Sequence, residues 1–226
     1  KNLCPNVKIW VGGPEVSYDC ESFLRSLPQV DGILYGEGEK SFPTLIEYYA
    51  ARERDTNPPS ETFPDGAAWL DENGVFHQTS PQPLTPMEEL PFIYDEAGRM
   101  EGFKNRIIYY ETSRGCPFSC SYCLSSIDKK LRFRPLDTVK KELAFFLEQR
   151  VPQVKFVDRT YNLDENYYLP IMQHLAEAET DATFHFEIKA DLLTKNVLNF
   201  LKTVPKGRFQ FEIGVQTTNA ATLKAI

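Results

Sequence analysis

The sequence predicts an α/β protein, a parallel doubly wound sheet followed by a partial (β/α) barrel. Three observations lead there. Short apolar runs alternate with helical stripes along most of the chain, the pattern of parallel strands joined by crossover helices. In the second half this alternation recurs about once every 30 to 45 residues, the spacing of βα units in a barrel. Two consecutive strands there also carry polar residues on one face, whereas strands of an ordinary buried parallel sheet read as continuous apolar runs.

Taken in order, residues 7–11 form an apolar run that stops at Gly12-Gly13-Pro14, a strand ending in a tight turn. A helix follows over 20–27, then a second short strand over 32–35, broken by Gly36-Glu37-Gly38-Glu39. Phe42, Leu45, Ile46 and Tyr49 mark the next helical stripe. Between 57 and 91 prolines recur at 58, 59, 64, 81, 83, 86 and 91, and Asp71-Glu72-Asn73-Gly74 reads as a hairpin turn, so a linker with a small hairpin is expected. The alternation resumes with a strand over 106–111 that runs into a cysteine cluster. Leu136, Val139, Leu143, Phe146 and Leu147 fit a helix, 154–157 a strand, 167–176 a helix, 184–188 a strand, 197–201 a helix and 209–215 a strand. About four βα units fit before Ile226, so the barrel is expected to be half present.

A chain of 226 residues can enclose one large core or two smaller ones. The composition, 42% apolar and 25% charged, is that of a globular protein, and no apolar stretch of about 18 residues offers a membrane span. A net charge of -7 argues against a nucleic-acid partner, and the small basic cluster Lys129, Lys130, Arg132 and Arg134 does not overturn that. The first residue is Lys1 and no secretory pattern is visible, so a cytoplasmic piece of a longer protein is expected. Five cysteines is an odd number and three fall within eight residues, which favours metal binding over a disulfide framework. Cys4 and Cys20 stand apart and read as ordinary structural thiols.

The chemistry is concentrated in Glu111-Thr-Ser-Arg-Gly-Cys116-Pro-Phe-Ser-Cys120-Ser-Tyr-Cys123. Three thiols on one short loop can wrap a polynuclear centre; iron-sulfur clusters usually take four Cys, so three leave one iron for an exogenous ligand. The competing reading is a structural zinc completed by His77, His174 or His185, although the paired ligand blocks typical of zinc sites are missing. Further on, Phe184, Phe186 and Ile188 alternate with His185, Glu187 and Lys189, and Phe209, Phe211, Ile213 and Val215 with Gln210, Glu212, Gly214 and Gln216. A polar sheet face of this kind suits a barrel interior that lines a cofactor.

The spacing Cys-x3-Cys-x2-Cys, with Tyr122 before the last Cys, resembles the signature of the radical S-adenosylmethionine (radical SAM) superfamily. The resemblance implies a four-iron four-sulfur cluster on Cys116, Cys120 and Cys123, with S-adenosylmethionine chelating the open iron. Electron transfer then cleaves the sulfonium to a 5'-deoxyadenosyl radical that abstracts a substrate hydrogen. It also implies an electron donor such as flavodoxin or ferredoxin and a small-molecule substrate, or one of unknown kind. The segments Lys155 to Asn162, Phe184 to Ile188 and Glu212 to Gln216 resemble the later strands of that barrel. Tyr122, Asp158, Glu187, Glu212 and Gln216 are thereby implied as S-adenosylmethionine contacts, with Asp158 near the methionyl moiety.

Upstream, Val11-Gly12-Gly13-Pro14-Glu15 and the segment Asp31 to Glu39 resemble the second half of the cobalamin-binding domain often fused before such a barrel. That implies cobalamin contacts at Gly12, Gly13, Gly36, Glu37 and Gly38, where glycines allow close backbone approach. The Asp-x-His-x-x-Gly motif that supplies a histidine to cobalt is not in this sequence. The expected division is residues 1–57, the C-terminal half of a Rossmann-like cobalamin-binding domain; 58–104, the linker; and 105–226, the N-terminal half of the barrel. Two other functions fit the sequence: a radical SAM enzyme without functional cobalamin, of the cyclase or methylthiotransferase type, and a non-catalytic zinc-binding module.

Overall fold

The computed structural model describes residues 4, 6–54, 63–96, 99–103 and 105–225, in two compact units, Lys1–Pro86 and Met87–Ile226. In the first unit, β1 (Trp10–Gly12) and β2 (Gly32–Leu34) are parallel and connected through α1 (Cys20–Ser26). Asp19 starts α1 by accepting a hydrogen bond from Ser22 N at 3.3 Å, and Cys20 and Leu24 bury that helix against Ile33 and Ala68. Cys20 is 6% exposed and Cys4 lies exposed. α2 (Gly38–Glu53) leads to β3 (Ala67–Leu70) and β4 (Phe76–Gln78), which join antiparallel in the order β1-β2-β3-β4.

The hairpin expected inside a linker is therefore the far edge of the first sheet, and only β1 and β2 keep the parallel arrangement. Its turn forms where predicted: the Asp71 carboxylate accepts from Asn73 N and Val75 N, and Gly74 takes φ +75. Ala67 and Ala68, fully buried, seat the hairpin on Leu34 and Ile33. The boundaries expected after residues 57 and 104 border or fall on residues outside the described ones; the observed division lies after Pro86.

The second unit contains a short helical turn, α3 (Arg99–Gly102), then β5 (Ile108–Tyr110), β6 (Ser113–Arg114), β7 (Arg132–Phe133), α4 (Leu136–Glu148), β8 (Gln153–Phe156), α5 (Glu165–Glu177), β9 (Thr183–Ile188), α6 (Lys195–Leu201), β10 (Phe209–Ile213) and α7 (Ala220–Ala225). Strands β5, β8, β9 and β10 are all parallel and neighbour one another in chain order. That sequential order is the order of a barrel; a doubly wound sheet reverses direction at a switch point.

One face of this sheet is apolar. Ile108, Val154, Phe156, Phe184 and Phe186 pack under Val139, Leu143 and Phe146 of α4 and Ile171, Met172 and Leu175 of α5. Phe156 stacks on Phe186 with centroids 4.7 Å apart. On the opposite face the register aligns Tyr109, Lys155, His185 and Gln210 in one row and Glu187 beside Glu212 in the next. The period-two alternation in the sequence thus separates a helix-covered core from a polar surface, the inner wall of a half barrel.

Candidate functional site

The loop carrying the cysteines leaves from β6 and returns through β7, which pairs with it antiparallel. Gly115 holds φ +89, and a Cβ there would lie 2.5 Å from Lys130 O, so the two ends of the loop meet only because residue 115 has no side chain. Gly115→Ala is expected to cost about 2 kcal/mol from the left-handed backbone and the collision. Urea unfolding measures it, and a loss below about 0.5 kcal/mol would contradict this account of the loop.

Below the loop lies a buried polar neck. Arg134 N donates to Thr112 O at 2.8 Å, and the Tyr167 hydroxyl lies 2.7 Å from Arg134 O and 3.1 Å from Thr112 O. Burial pushes the Tyr167 phenol up from its ordinary pKa, keeping it a donor. The Arg134 guanidinium makes a two-pronged ion pair with Glu142 of α4 and donates to Leu90 O at 3.0 Å. The Tyr110 hydroxyl donates to the same Glu142 carboxylate.

Asp158 completes the neck from the end of β8. Its Oδ1 accepts from the Thr112 and Ser113 hydroxyls, each at 2.6 Å, and its Oδ2 from Thr112 N at 3.1 Å. At 1% exposure it is cut off from solvent, and burial pushes its pKa up to about 6 although three hydrogen bonds oppose the shift. The family resemblance implies Asp158 near the methionyl moiety of the cofactor. In this structure both of its oxygens hold the strand that feeds the cysteine loop.

The loop sits at the carboxyl ends of the parallel strands. Cys116 Sγ lies 3.7 Å from Thr160 Oγ1, just past β8. The Phe118 ring lies 4.9 Å beneath Lys189 Nζ, just past β9. Cys116 is 7% exposed, while Cys120 and Cys123 are half-buried, and all three are free thiols. Cys123 N donates to Cys120 O at 3.1 Å, turning the chain back between those two thiols.

Among the described residues no three His, Cys, Asp or Glu side chains form a group drawn together around a single metal ion. A mononuclear zinc needs all ligands about 2.0 to 2.3 Å from one centre. In a four-iron cluster each thiolate binds its own iron. The three thiols of the loop suit the second donor set, one for each of three irons.

The other predicted positions fall in three places. Tyr122 is 57% exposed on the cysteine loop. Glu187 and Glu212 lie on the polar sheet face with Lys155 Nζ 3.3 Å from each, and His185 Nε2 is 3.3 Å from Glu212. Desolvation pulls Lys155 down, but the two carboxylates outweigh it and hold its pKa above the ordinary value. Gln216 is exposed beyond the end of β10. Gly12 closes β1 and Gly13 follows with φ +102, while Gly36 turns with φ +81 between β2 and the start of α2 at Gly38. Both glycine turns therefore flank the carboxyl ends of the parallel pair. The Glu37 carboxylate accepts from Thr85 N at 2.8 Å.

Sequence reasoning missed Thr160, Glu142 and Tyr167 and read Arg134 only as one of four basic residues. Glu142 did leave a signal: it lies three residues after Val139 and beside Leu143, a charge on the apolar stripe of its helix.

Comparison with known proteins agrees with this geometry. The chain is 25% identical over 209 residues to an uncharacterised methyltransferase of Pyrococcus horikoshii, covering 89% of this chain and 44% of that protein. It is 29% identical over 185 residues to the cobalamin-dependent radical SAM methyltransferase TokK of Streptomyces tokunonensis, covering 79% of this chain and 27% of that protein. The chain thus spans less than half the length of these curated relatives. The fold is similar to that of OxsB, a cobalamin-dependent S-adenosylmethionine radical enzyme solved with aqua-cobalamin and S-adenosylmethionine bound, with a TM-score of 0.69 and 23% identity over 96% of this chain and 32% of that one. The family profile of the Radical SAM superfamily matches residues 110–226, from the last residue of β5 through the cysteine loop and the parallel strands. The cysteine loop, the sequential parallel sheet and this match over half of its length place the chain in the radical SAM superfamily, to which it belongs.

Proposed function

We propose that the chain is part of an enzyme that binds a four-iron four-sulfur cluster through Cys116, Cys120 and Cys123, cleaves S-adenosylmethionine there and directs the resulting radical chemistry to a small-molecule substrate, with cobalamin as methyl carrier. The observation that carries this reading is three free thiols on one closed loop at the carboxyl ends of a sequential parallel sheet. When bound, the cluster supplies the electron for sulfonium cleavage and keeps one iron open for the amine and carboxylate of S-adenosylmethionine.

The chain's own residues do the positioning. The neck of Asp158, Tyr167, Arg134 and Glu142 fixes the loop base, leaving Cys120 and Cys123 half-buried farther along the loop. Tyr122 offers an exposed ring beside the last thiol, suited to a purine face. Glu187 and Glu212 offer acceptors for hydroxyls along the inner wall and Gln216 another beyond the end of β10, and Lys155 and His185 hold Glu212 in place. In the first unit Gly12, Gly13, Gly36 and Gly38, with Glu37, would let the backbone approach cobalamin at the carboxyl ends of β1 and β2. Methyl transfer is favoured because both relatives above carry methyltransferase names. An electron donor of the flavodoxin or ferredoxin type and a cytoplasmic setting, where thiols stay reduced, complete the proposal. Among the described residues no helix is long and apolar enough to cross a membrane.

Anaerobic reconstitution of the longer protein with iron and sulfide should yield about four irons per chain and a broad visible absorption. Stoichiometric zinc with no sulfide uptake would sink the cluster. Hydroxocobalamin binding tests the carrier separately: a loaded cluster with no cobalamin bound would remove methyl transfer by that route and leave the radical chemistry standing.

A further inference from the structure

Of the three cysteines, Cys116 is the most enclosed, and it has a hydroxyl next to it. Thr160 Oγ1 lies 3.7 Å from Cys116 Sγ, with both residues more than nine-tenths buried. Thr160 is not on the cysteine loop. It belongs to the segment after β8, and that segment is fixed on both sides. Asp158 is bound to Thr112 and Ser113; Tyr161 N donates to Glu187 O at 2.9 Å; and the Asn162 amide exchanges two hydrogen bonds, both 2.9 Å, with the backbone of Lys189. The hydroxyl is therefore presented to the sulfur by a rigid frame built from two strand ends.

In the metal-free chain either atom of the pair can donate, and Thr160 Oγ1 also has Arg159 O within 2.9 Å. A thiolate bound to iron has no proton, so it can only accept. The Thr160 O–H then has two acceptors within reach, Arg159 O and Cys116 Sγ, and turning it to the sulfur is what gives the buried thiolate a donor. Hydrogen bonds to cluster sulfurs favour the more electron-rich, reduced state and raise the reduction potential, most of all where solvent is excluded.

We propose that Thr160 is a positioning residue for the metal centre, whose hydroxyl donates to Cys116 Sγ in the loaded protein and raises the potential at which the cluster accepts its electron. This rests on the cluster reading above. The proposal makes Cys116 electronically distinct from Cys120 and Cys123, with the distinction supplied by the second strand of the half barrel.

The test is an EPR-monitored redox titration of the reconstituted longer protein, comparing wild type with Thr160→Val, which keeps the shape and removes the hydroxyl, and Thr160→Ser, which keeps the hydroxyl. Thr160→Val should shift the midpoint to lower potential with iron content unchanged, and Thr160→Ser should stay near wild type. Equal midpoints in wild type and Thr160→Val would overturn the proposal while leaving the cluster reading intact. If Val impairs iron uptake, Thr160→Ala carries the same comparison without the branched side chain. Poor iron uptake in both would assign the residue to loop structure and overturn the tuning role. A wild-type protein that takes up no cluster would refute the reading beneath it as well.

Discussion

Replacing Glu142 with Ala is expected to cost about 4 kcal/mol, because it strands a buried guanidinium. The side chains of Arg134 and Glu142 are 7% and 8% exposed. Without the carboxylate, Arg134 keeps only Leu90 O among its charge-stabilising contacts described above, and the Tyr110 hydroxyl loses its acceptor. In a chain of this size such a loss lowers Tm by roughly 8 to 16 °C. The ion pair itself need not be net stabilising, since burying two charges costs about as much as their attraction returns. The triple variant Arg134→Met, Glu142→Leu, Tyr110→Phe should therefore recover most of the stability lost by Glu142→Ala. Thermal and urea unfolding of both variants measure this. A cost below about 1 kcal/mol for Glu142→Ala would show that the neck tolerates an unpaired charge and is not what fixes the loop.

Asp158 gives the second large effect, read through pH. Its folded pKa of about 6 lies above the ordinary carboxylate value of 3.8, so the unfolded chain releases this proton first as pH rises. The stability it contributes is fully present below about pH 4 and is lost as pH rises through about 6, a change of about 3 kcal/mol for a shift of roughly two units. Asp158→Asn keeps the shape and cannot ionise; its carbonyl can face Thr112 N while its amide donates to the two hydroxyls. The stability of wild type relative to Asp158→Asn should then fall by about 3 kcal/mol between pH 4 and 7. Taking the difference cancels groups that titrate alike in both proteins, including Asp71, which the His77 hydrogen bond lowers. A difference independent of pH would mean that Asp158 is not buried as a charged group.

The four parallel strands of the second unit were legible as short apolar runs, and the last two also by an alternation of period two that survives folding; the two-residue strands β6 and β7 were too short to leave a pattern. Phe184, Phe186 and Ile188 face the core while His185 and Glu187 do not. The cysteine spacing was legible because the three thiols lie on one loop, local in sequence. The hairpin turn at Asp71 to Gly74 was also readable, but its sheet partner was not, since pairing of β3 with β2 depends on contacts more than 30 residues apart. The hydrogen-bond partners of Asp158 were not legible for a similar reason. Its partners Thr112 and Ser113 lie 46 and 45 residues away.

By itself the sequence determined the alternation of strands and helices, the polar wall of the half barrel and the three thiols on one loop. Each of these follows from residue type and short-range spacing. Only the tertiary structure decided that β3 and β4 extend the first sheet, that Asp158, Tyr167, Arg134 and Glu142 clamp the loop base, and that Thr160 meets Cys116. These contacts join segments distant along the chain. Their geometry comes from desolvation and hydrogen-bond satisfaction in a packed interior, which no local pattern encodes.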